Sequence, residues 1–360
     1  LRVKGVATVP PHPVDALRSI VLVLLALLVC GPSDPGFADD GCFFERGRLL
    51  IPNATDVAVS GHLVVTLQQS GWSTRPVVRV AELRRNGPVE VGRWEATWGV
   101  EDVHVKASTA IVAADFGLVS LDLRDPAYPT ELDFIDLNGT EHLAVDGGMA
   151  YIATTGVGGN GWFDVAEVDD PSDLQRLGQL HWGRPDTVKR AVDAADGVAV
   201  IADSSGLLII DVGDPWRPSE AGRWVREGVR DVVLIGDLAA AAITSFANDN
   251  DTGVSLVDLS ESGAPVLVGA WQSPSGVRAV AEYGGGILAG TEENGLFLLD
   301  ISNPAEPTVA DHWFDPELRV DHIGTAWPTI VLSGFDAGTV VLGLRPPCLP
   351  PRRPAGRIGP

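Results

Sequence analysis

The chain has 360 residues, of which 45% are hydrophobic and 21% charged, with 41 Gly, 26 Pro and 3 Cys. That balance is too apolar for a disordered chain, too rich in Gly and Pro for a helical bundle, and too poor in cysteine for a zinc-bound or disulfide-dense scaffold. A formal charge of −22 argues against a nucleic-acid partner, because phosphates need a basic face to neutralise them.

Arg2, Lys4 and Arg18 precede an apolar run from Ile20 to Val29, about half the length of a bilayer span. A basic flank, a short apolar run and the small-residue motif Gly36-Phe37-Ala38 read together as an export signal over residues 1–38, with Asp39 first in the mature chain. Leu27-Leu28-Val29-Cys30 offers a lipoprotein alternative, in which Cys30 is acylated. Val29 is larger than the residue such a box requires, so free secretion is favoured over a lipid anchor. Beyond residue 38 no apolar stretch is long enough to cross a bilayer.

The remainder repeats. Gly117-Leu-Val-Ser-Leu-Asp-Leu-Arg-Asp-Pro-Ala-Tyr-Pro129 is matched by Gly206-Leu-Leu-Ile-Ile-Asp-Val-Gly-Asp-Pro-Trp-Arg-Pro218 and by Gly295-Leu-Phe-Leu-Leu-Asp-Ile-Ser-Asn-Pro-Ala-Glu-Pro307. Weaker copies start at Gly161, Gly253 and Gly338, and residues 75–87 supply a degenerate first one. The steps between them are 42, 44, 45, 47, 42 and 43 residues, so seven units cover 51–347. Within the fourth, Lys189–Val192, Gly197–Ala202, Gly206–Val212 and Glu220–Trp224 read as four short strands. The middle two are β-branched and apolar and are bounded by Gly, Asp and Pro, as buried antiparallel strands are. The Asp-Pro-x-x-Pro segment fixes backbone angles and withholds an amide donor, which ends strand three. A four-stranded unit recurring every forty-odd residues defines an all-β chain folded as a β-propeller, with seven blades expected ahead of six or eight.

The strands Leu118-Val-Ser-Leu-Asp122, Leu207-Leu-Ile-Ile-Asp211 and Leu296-Phe-Leu-Leu-Asp300 resemble the LVIVD repeat family, and the resemblance runs over essentially all of 51–347. Units 3 and 7 depart from it, since Asp164-Val-Ala-Glu167 and Val340-Val-Leu-Gly343 lack the terminal Asp. The resemblance implies a bacterial or archaeal surface or secreted propeller and transfers no catalytic motif.

Unit 7 stops after its third strand, Thr339–Leu344, and Gly47–Ile51 is free to supply the fourth, removing an exposed edge. Cys42 and Cys348 flank those two segments, and a Cys42–Cys348 disulfide is expected in an oxidising compartment. The single propeller domain then runs from 39 to 348, and residues 349–360, rich in Pro and Arg, read as a disordered tail.

Candidate functional positions fall into two groups. The starts of strand one carry Asp56, Asp102, His142, Lys189, Asp231, Arg278 and Asp321, which would ring one mouth of the central channel. Polar residues there either hold a ligand or satisfy strand-one amides, and the second role is favoured. Trp72 and Trp162 read as loop residues between strands two and three, where three longer loops (68–74, 154–161 and 245–252) suggest recognition. Trp94, Trp182, Trp224, Trp271 and Trp313, with Phe134, recur at the end of strand four and are expected to pack between blades. Asn248-Asp-Asn-Asp-Thr-Gly253 faintly resembles a calcium loop but has Leu259 where the bidentate Glu belongs, so no metal or other cofactor is expected. No nucleotide-binding or hydrolase motif is present. The expected function is therefore an exported module that binds a surface protein or saccharide, not an enzyme. The alternative is a polysaccharide hydrolase or lyase whose carboxylates meet at the channel mouth.

Overall fold

Strands two and three of each repeat are apolar at almost every position because both faces of the sheet they form are covered. Val64, Val65, Val200, Ile201, Leu208 and Ile209 are all inaccessible to solvent. The computed structural model describes residues 41–345, apart from 70–74, 138, 156–160, 183–188, 245–251, 262 and 335–337. The chain divides at Gly41/Cys42 into two compact units, and the account below concerns the second. The signal and lipobox segments, Trp72, Cys348, the calcium-like Asn248–Asp251 and the tail lie outside the described residues.

Among the described residues 28 strands pair into seven antiparallel four-stranded sheets. First in the chain is β1 (Phe43–Leu49), which belongs to the last blade. Blade 1 is β2 (Ala54–Ser60), β3 (Leu63–Gln68), β4 (Val77–Arg84) and β5 (Gly87–Glu95), and blade 2 is β6 (Val100–Lys106), β7 (Thr109–Ala114), β8 (Gly117–Asp122) and β9 (Thr130–Asp136). Blade 3 is β10 (His142–Asp146), β11 (Met149–Thr155), β12 (Gly161–Glu167) and β13 (Gln175–Trp182), and blade 4 is β14 (Lys189–Ala195), β15 (Val198–Asp203), β16 (Gly206–Asp211) and β17 (Ser219–Val225). Blade 5 is β18 (Val229–Ile235), β19 (Leu238–Ile243), β20 (Gly253–Asp258) and β21 (Val266–Gln272), and blade 6 is β22 (Val277–Tyr283), β23 (Gly286–Thr291), β24 (Leu296–Asp300) and β25 (Thr308–Trp313). Blade 7 is β26 (His322–Ala326), β27 (Thr329–Gly334) and β28 (Gly338–Leu344), completed on its outer edge by β1. The molecule is a seven-bladed β-propeller.

Closure follows the expectation from sequence, with the strand beginning four residues earlier than Gly47. Phe43 pairs with Leu344 and Leu49 with Thr339. Seven hydrophobic clusters fill the gaps between neighbouring blades. The one that joins the ends of the ring packs Leu49, Ile51, Ala54 and Val57 against Val331 and Val341. Trp94, Phe134, Trp224, Trp271 and Trp313 pack against these clusters as large wedge-filling rings.

The repeat motif has two structural uses. The Asp that ends strand three accepts the amide two residues on: Asp122 from Arg124 at 2.9 Å, Asp211 from Gly213 at 2.9 Å, Asp258 from Ser260 at 2.8 Å and Asp300 from Ser302 at 2.8 Å. This caps the turn that follows, an arrangement open to Asp but not to an apolar residue. The Pro-containing turn then docks on the preceding blade. Gly92 lies beneath Pro126, Gly178 beneath Pro215 and Gly269 beneath Pro304, each so close that a Cβ would overlap the proline carbonyl oxygen. Two blades place an aspartate at the equivalent position of strand four. Asp133 accepts the Leu174 amide at 2.7 Å, and Asp311 accepts those of Cys42 and Phe43 at 2.8 and 3.2 Å.

Candidate functional site

The seven innermost strands surround a channel whose mouth is a cavity of about 1310 Å³. Most of them begin with the same irregularity: register shifts occur between Ala54 and Asp56, Val100 and Asp102, Lys189 and Ala191, Val229 and Asp231, and Val277 and Ala279. A bulge redirects the extra side chain. Here the extra residues are Thr55, Glu101, Arg190, Arg230 and Arg278, all lining the cavity. Glu141 and Asp321, just ahead of β10 and β26, line it as well.

Six of the seven channel-mouth positions expected from sequence line this cavity: Asp56, Asp102, His142, Asp231, Arg278 and Asp321. Lys189 heads β14, but its side chain lies outside the described residues, and its neighbour Arg190 is the lining residue. Trp162 requires a correction. It lies inside β12, not in a loop, because Gly161 starts the strand as Gly117 and Gly206 do elsewhere. Trp162 pairs across the sheet with His181, their ring centroids 4.3 Å apart.

The aspartates link blade to blade. On four of the innermost strands an amide is accepted by a carboxylate of the preceding blade. Asp56 Oδ2 accepts the Val103 amide at 2.8 Å, Asp102 Oδ2 that of Leu143 at 2.8 Å, and Asp231 Oδ2 that of Val280 at 2.8 Å. Asp193, which sequence reading missed, does the same for Leu234 at 2.7 Å from a position two residues further along its strand. At the ring junction Asp56 Oδ1 faces His322 Nδ1 at 3.3 Å. These residues take the amide-satisfying role that sequence reading favoured.

Burial pushes the Asp193 and Asp231 carboxyls up to about 6, against the pull of the amides they accept. Burial, and then the Asp56 charge, hold Asp102 well above the usual carboxylate range, and burial raises Glu101 as well. For His322 burial acts downward, but the bond to Asp56 and the charges of Asp56, Asp231 and Asp321 outweigh it and raise the imidazole. An acid raised above its unfolded value holds its proton more tightly when folded. Stability from Asp193 and Asp231 therefore falls as pH rises from about 4 through 6 and is level above that. His322 acts in the same direction: its contribution is complete below its unfolded value of 6.5 and is lost as pH climbs through the raised one. Calorimetry should find a higher melting temperature at pH 5 than at pH 7.5. Asp231→Asn should remove about 1 kcal/mol of the difference between pH 5 and pH 7.5 while keeping an acceptor for Val280. Asp231→Ala should strand the amide and cost about 1–3 kcal/mol. A pH profile unchanged in Asp231→Asn would contradict the assignment.

Blades 4 to 6 also bring basic side chains to the mouth. Arg190, Arg230 and Arg278 occupy equivalent bulge positions on consecutive inner strands. Arg278 is held by Asp321 at 2.5 Å and by Glu292 at 3.1 Å, and Arg319 adds a second contact to Asp321 at 3.0 Å. Arg190 and Arg230 escaped sequence reading because it took one residue per strand. Aligning Lys189-Arg-Ala-Val, Val229-Arg-Asp-Val and Val277-Arg-Ala-Val would have found them. Among the described residues no group of three or more His, Cys, Asp or Glu side chains could hold a metal ion, and no helix is long and apolar enough to cross a membrane.

An all-β ring of seven four-stranded blades around a polar channel defines the β-propeller class. The family model described as the LVIVD repeat matches residues 191–225 and 280–313. Those two stretches are blades 4 and 6, where the resemblance of the strand-three motif is strong. No curated protein matches the chain. Among solved structures it is similar to the WD40 β-propeller domain of Doa1, at 11% identity over 86% of this chain and 99% of that one, with a TM-score of 0.64. It is also similar to the Neurospora crassa Pan2 WD40 domain, at 13% identity over 86% and 97%, with a TM-score of 0.65. The computationally designed Ika8 protein aligns at 13% identity over 82% of this chain and 100% of its own, with a TM-score of 0.54. At such identities the likeness is one of fold.

Proposed function

We propose that this chain is an exported interaction module that takes a polar group of a surface protein or saccharide into the channel mouth. The observation that carries the reading is the cavity of about 1310 Å³, lined by charged side chains of both signs from inner strands of successive blades. A rigid ring with a polar concavity is the arrangement in which propellers bind ligands. The hydrolase alternative needs two carboxylates free to face a substrate. Asp56, Asp102, Asp193 and Asp231 each have an oxygen occupied by an amide of the next blade, which favours binding over hydrolysis.

Export rests on residues 1–38 and on the proposed Cys42–Cys348 bridge. The pairing of Phe43 with Leu344, and the bond from the Arg345 amide to the Cys42 carbonyl at 2.9 Å, bring the chain after β28 alongside Cys42. In the chain-entropy model a bridge closing so long a loop would add roughly 5–6 kcal/mol.

Two measurements test these readings. Mass spectrometry of the protein from its host should find a mature chain starting at Asp39 with the two thiols oxidised. An acylated Cys30, or a retained leader with free thiols, would overturn free secretion. For binding, the ring resonances of His142 and His322 should shift on addition of a ligand from a panel of neutral and acidic oligosaccharides and acidic and basic peptides. Silence across that panel would overturn the channel reading.

A further inference from the structure

Three arginines on neighbouring strands repel one another, and a folded protein tolerates such a cluster where something neutralises it. The aspartates of the mouth do not do so for Arg190. Its pKa is lowered, first by burial and then by the charge of Arg278, with no acid acting in the other direction. Arg190 Nε is buried and has no acceptor among the described residues. Arg230 is lowered by burial and by the charges of both Arg190 and Arg278, with Glu292 a smaller opposing influence. Arg278 is anchored by Asp321 and Glu292, which fixes its plane at the edge of the group. All three are half-buried, line one cavity and occupy the same register position on adjacent blades. Their equivalence is a consequence of the repeat, and the bulge at each strand start gives each side chain the same orientation.

Resting on the reading of the channel as a ligand site, we propose that Arg190, Arg230 and Arg278 form a subsite for an oxoanion group of the ligand: a carboxylate, sulfate or phosphate. Guanidinium groups are suited to this role because they donate in a planar fork and carry their charge at every physiological pH. An oxoanion among them would supply the acceptor that Arg190 Nε needs and offset the mutual repulsion. The carboxylate of Glu141, on blade 3, would then orient the remainder of the ligand by excluding its anionic end.

The test uses the whole folded protein and the arginine Nε–Hε signals in a nitrogen-15 correlation spectrum. The probes are sodium sulfate, sodium phosphate and glucuronate, with glucose and with sodium chloride at matched ionic strength as comparisons. The Arg190 signal should shift saturably with at least one oxoanion and not with glucose or chloride. Arg190→Gln should weaken that binding about tenfold or more, with a melting temperature unchanged or raised because a like charge has gone. Arg93→Gln, at an exposed position on β5, should leave binding as it was. Absence of a saturable shift, an equal response to chloride, or undiminished binding in Arg190→Gln would each overturn the subsite. If glucose moves the His142 and His322 signals while the oxoanions move nothing, the subsite fails and the channel reading stands. If no probe moves either set, both fail. Should Arg190→Gln not fold, the wild-type titrations decide alone.

Discussion

Deleting residues 43–49 should leave a chain with no cooperative unfolding transition. β1 is tied to three blades. It pairs along its length with β28, its first amide and that of Cys42 are accepted by the buried Asp311 of blade 6, and Gly47 lies against Pro88 of blade 1. At Gly47 the backbone has φ +144° and an added Cβ would meet the Pro88 ring, so the strand fits only with glycine there. Removing β1 uncovers the hydrophobic clusters around Phe43 and Leu49, each such side chain worth about 2–3 kcal/mol. It also bares β28 as an unpaired edge that invites association with another chain. Against a total stability of roughly 5–15 kcal/mol, these losses are decisive. Circular dichroism melts and sedimentation would read the outcome. A monomer that melts near the wild-type temperature would show that β1 is an accessory to a ring complete without it.

Gly269→Ala should cost about 3 kcal/mol, a large effect for one methyl group on the outer strand of a blade. The Cβ would overlap the carbonyl oxygen of Pro304 and press on the carbonyl of Ala305, both backbone atoms in the turn of the next blade. Neither can swing away as a flexible side chain would, so blades 5 and 6 must separate. Gly61→Ala is the informative contrast. Gly61 has a φ of +59° but nothing within 4 Å, so only the backbone preference is lost, about 1 kcal/mol. Urea titrations of both variants separate the two causes. Equal losses would mean that the docked turn contributes nothing at the junction.

The blades were legible because strand three must satisfy two demands at once. It is covered on both faces, as Leu207 to Ile210 are, and it must end in a residue able to cap the turn, as Asp211 does. Those demands write the same letters into successive units and make the period visible. The closing strand was legible for a related reason: a missing fourth strand at one end and a spare one at the other. The channel was harder to read. Each blade contributes only one or two side chains to it, from stretches forty-odd residues apart, and which side chain turns inward depends on a bulge that composition does not reveal. Asp193 shows the difficulty, since it performs the same task as Asp231 from a position displaced by one full pleat. Trp162 shows the opposite error, a residue assigned to a loop although Gly161 had already begun the strand. The partnership of Gly92, Gly178 and Gly269 with the following turn was invisible because it joins residues of different repeats.

Amide hydrogen exchange of the intact protein, followed peptide by peptide, tests the closed ring most directly. If the opening strand finishes the seventh blade, the peptide covering 43–49 exchanges as slowly as the one covering 338–344, and the two lose protection together in rising denaturant. Fast exchange at 43–49 beside a protected 338–344 would mean an open ring and would remove the frame that holds the channel.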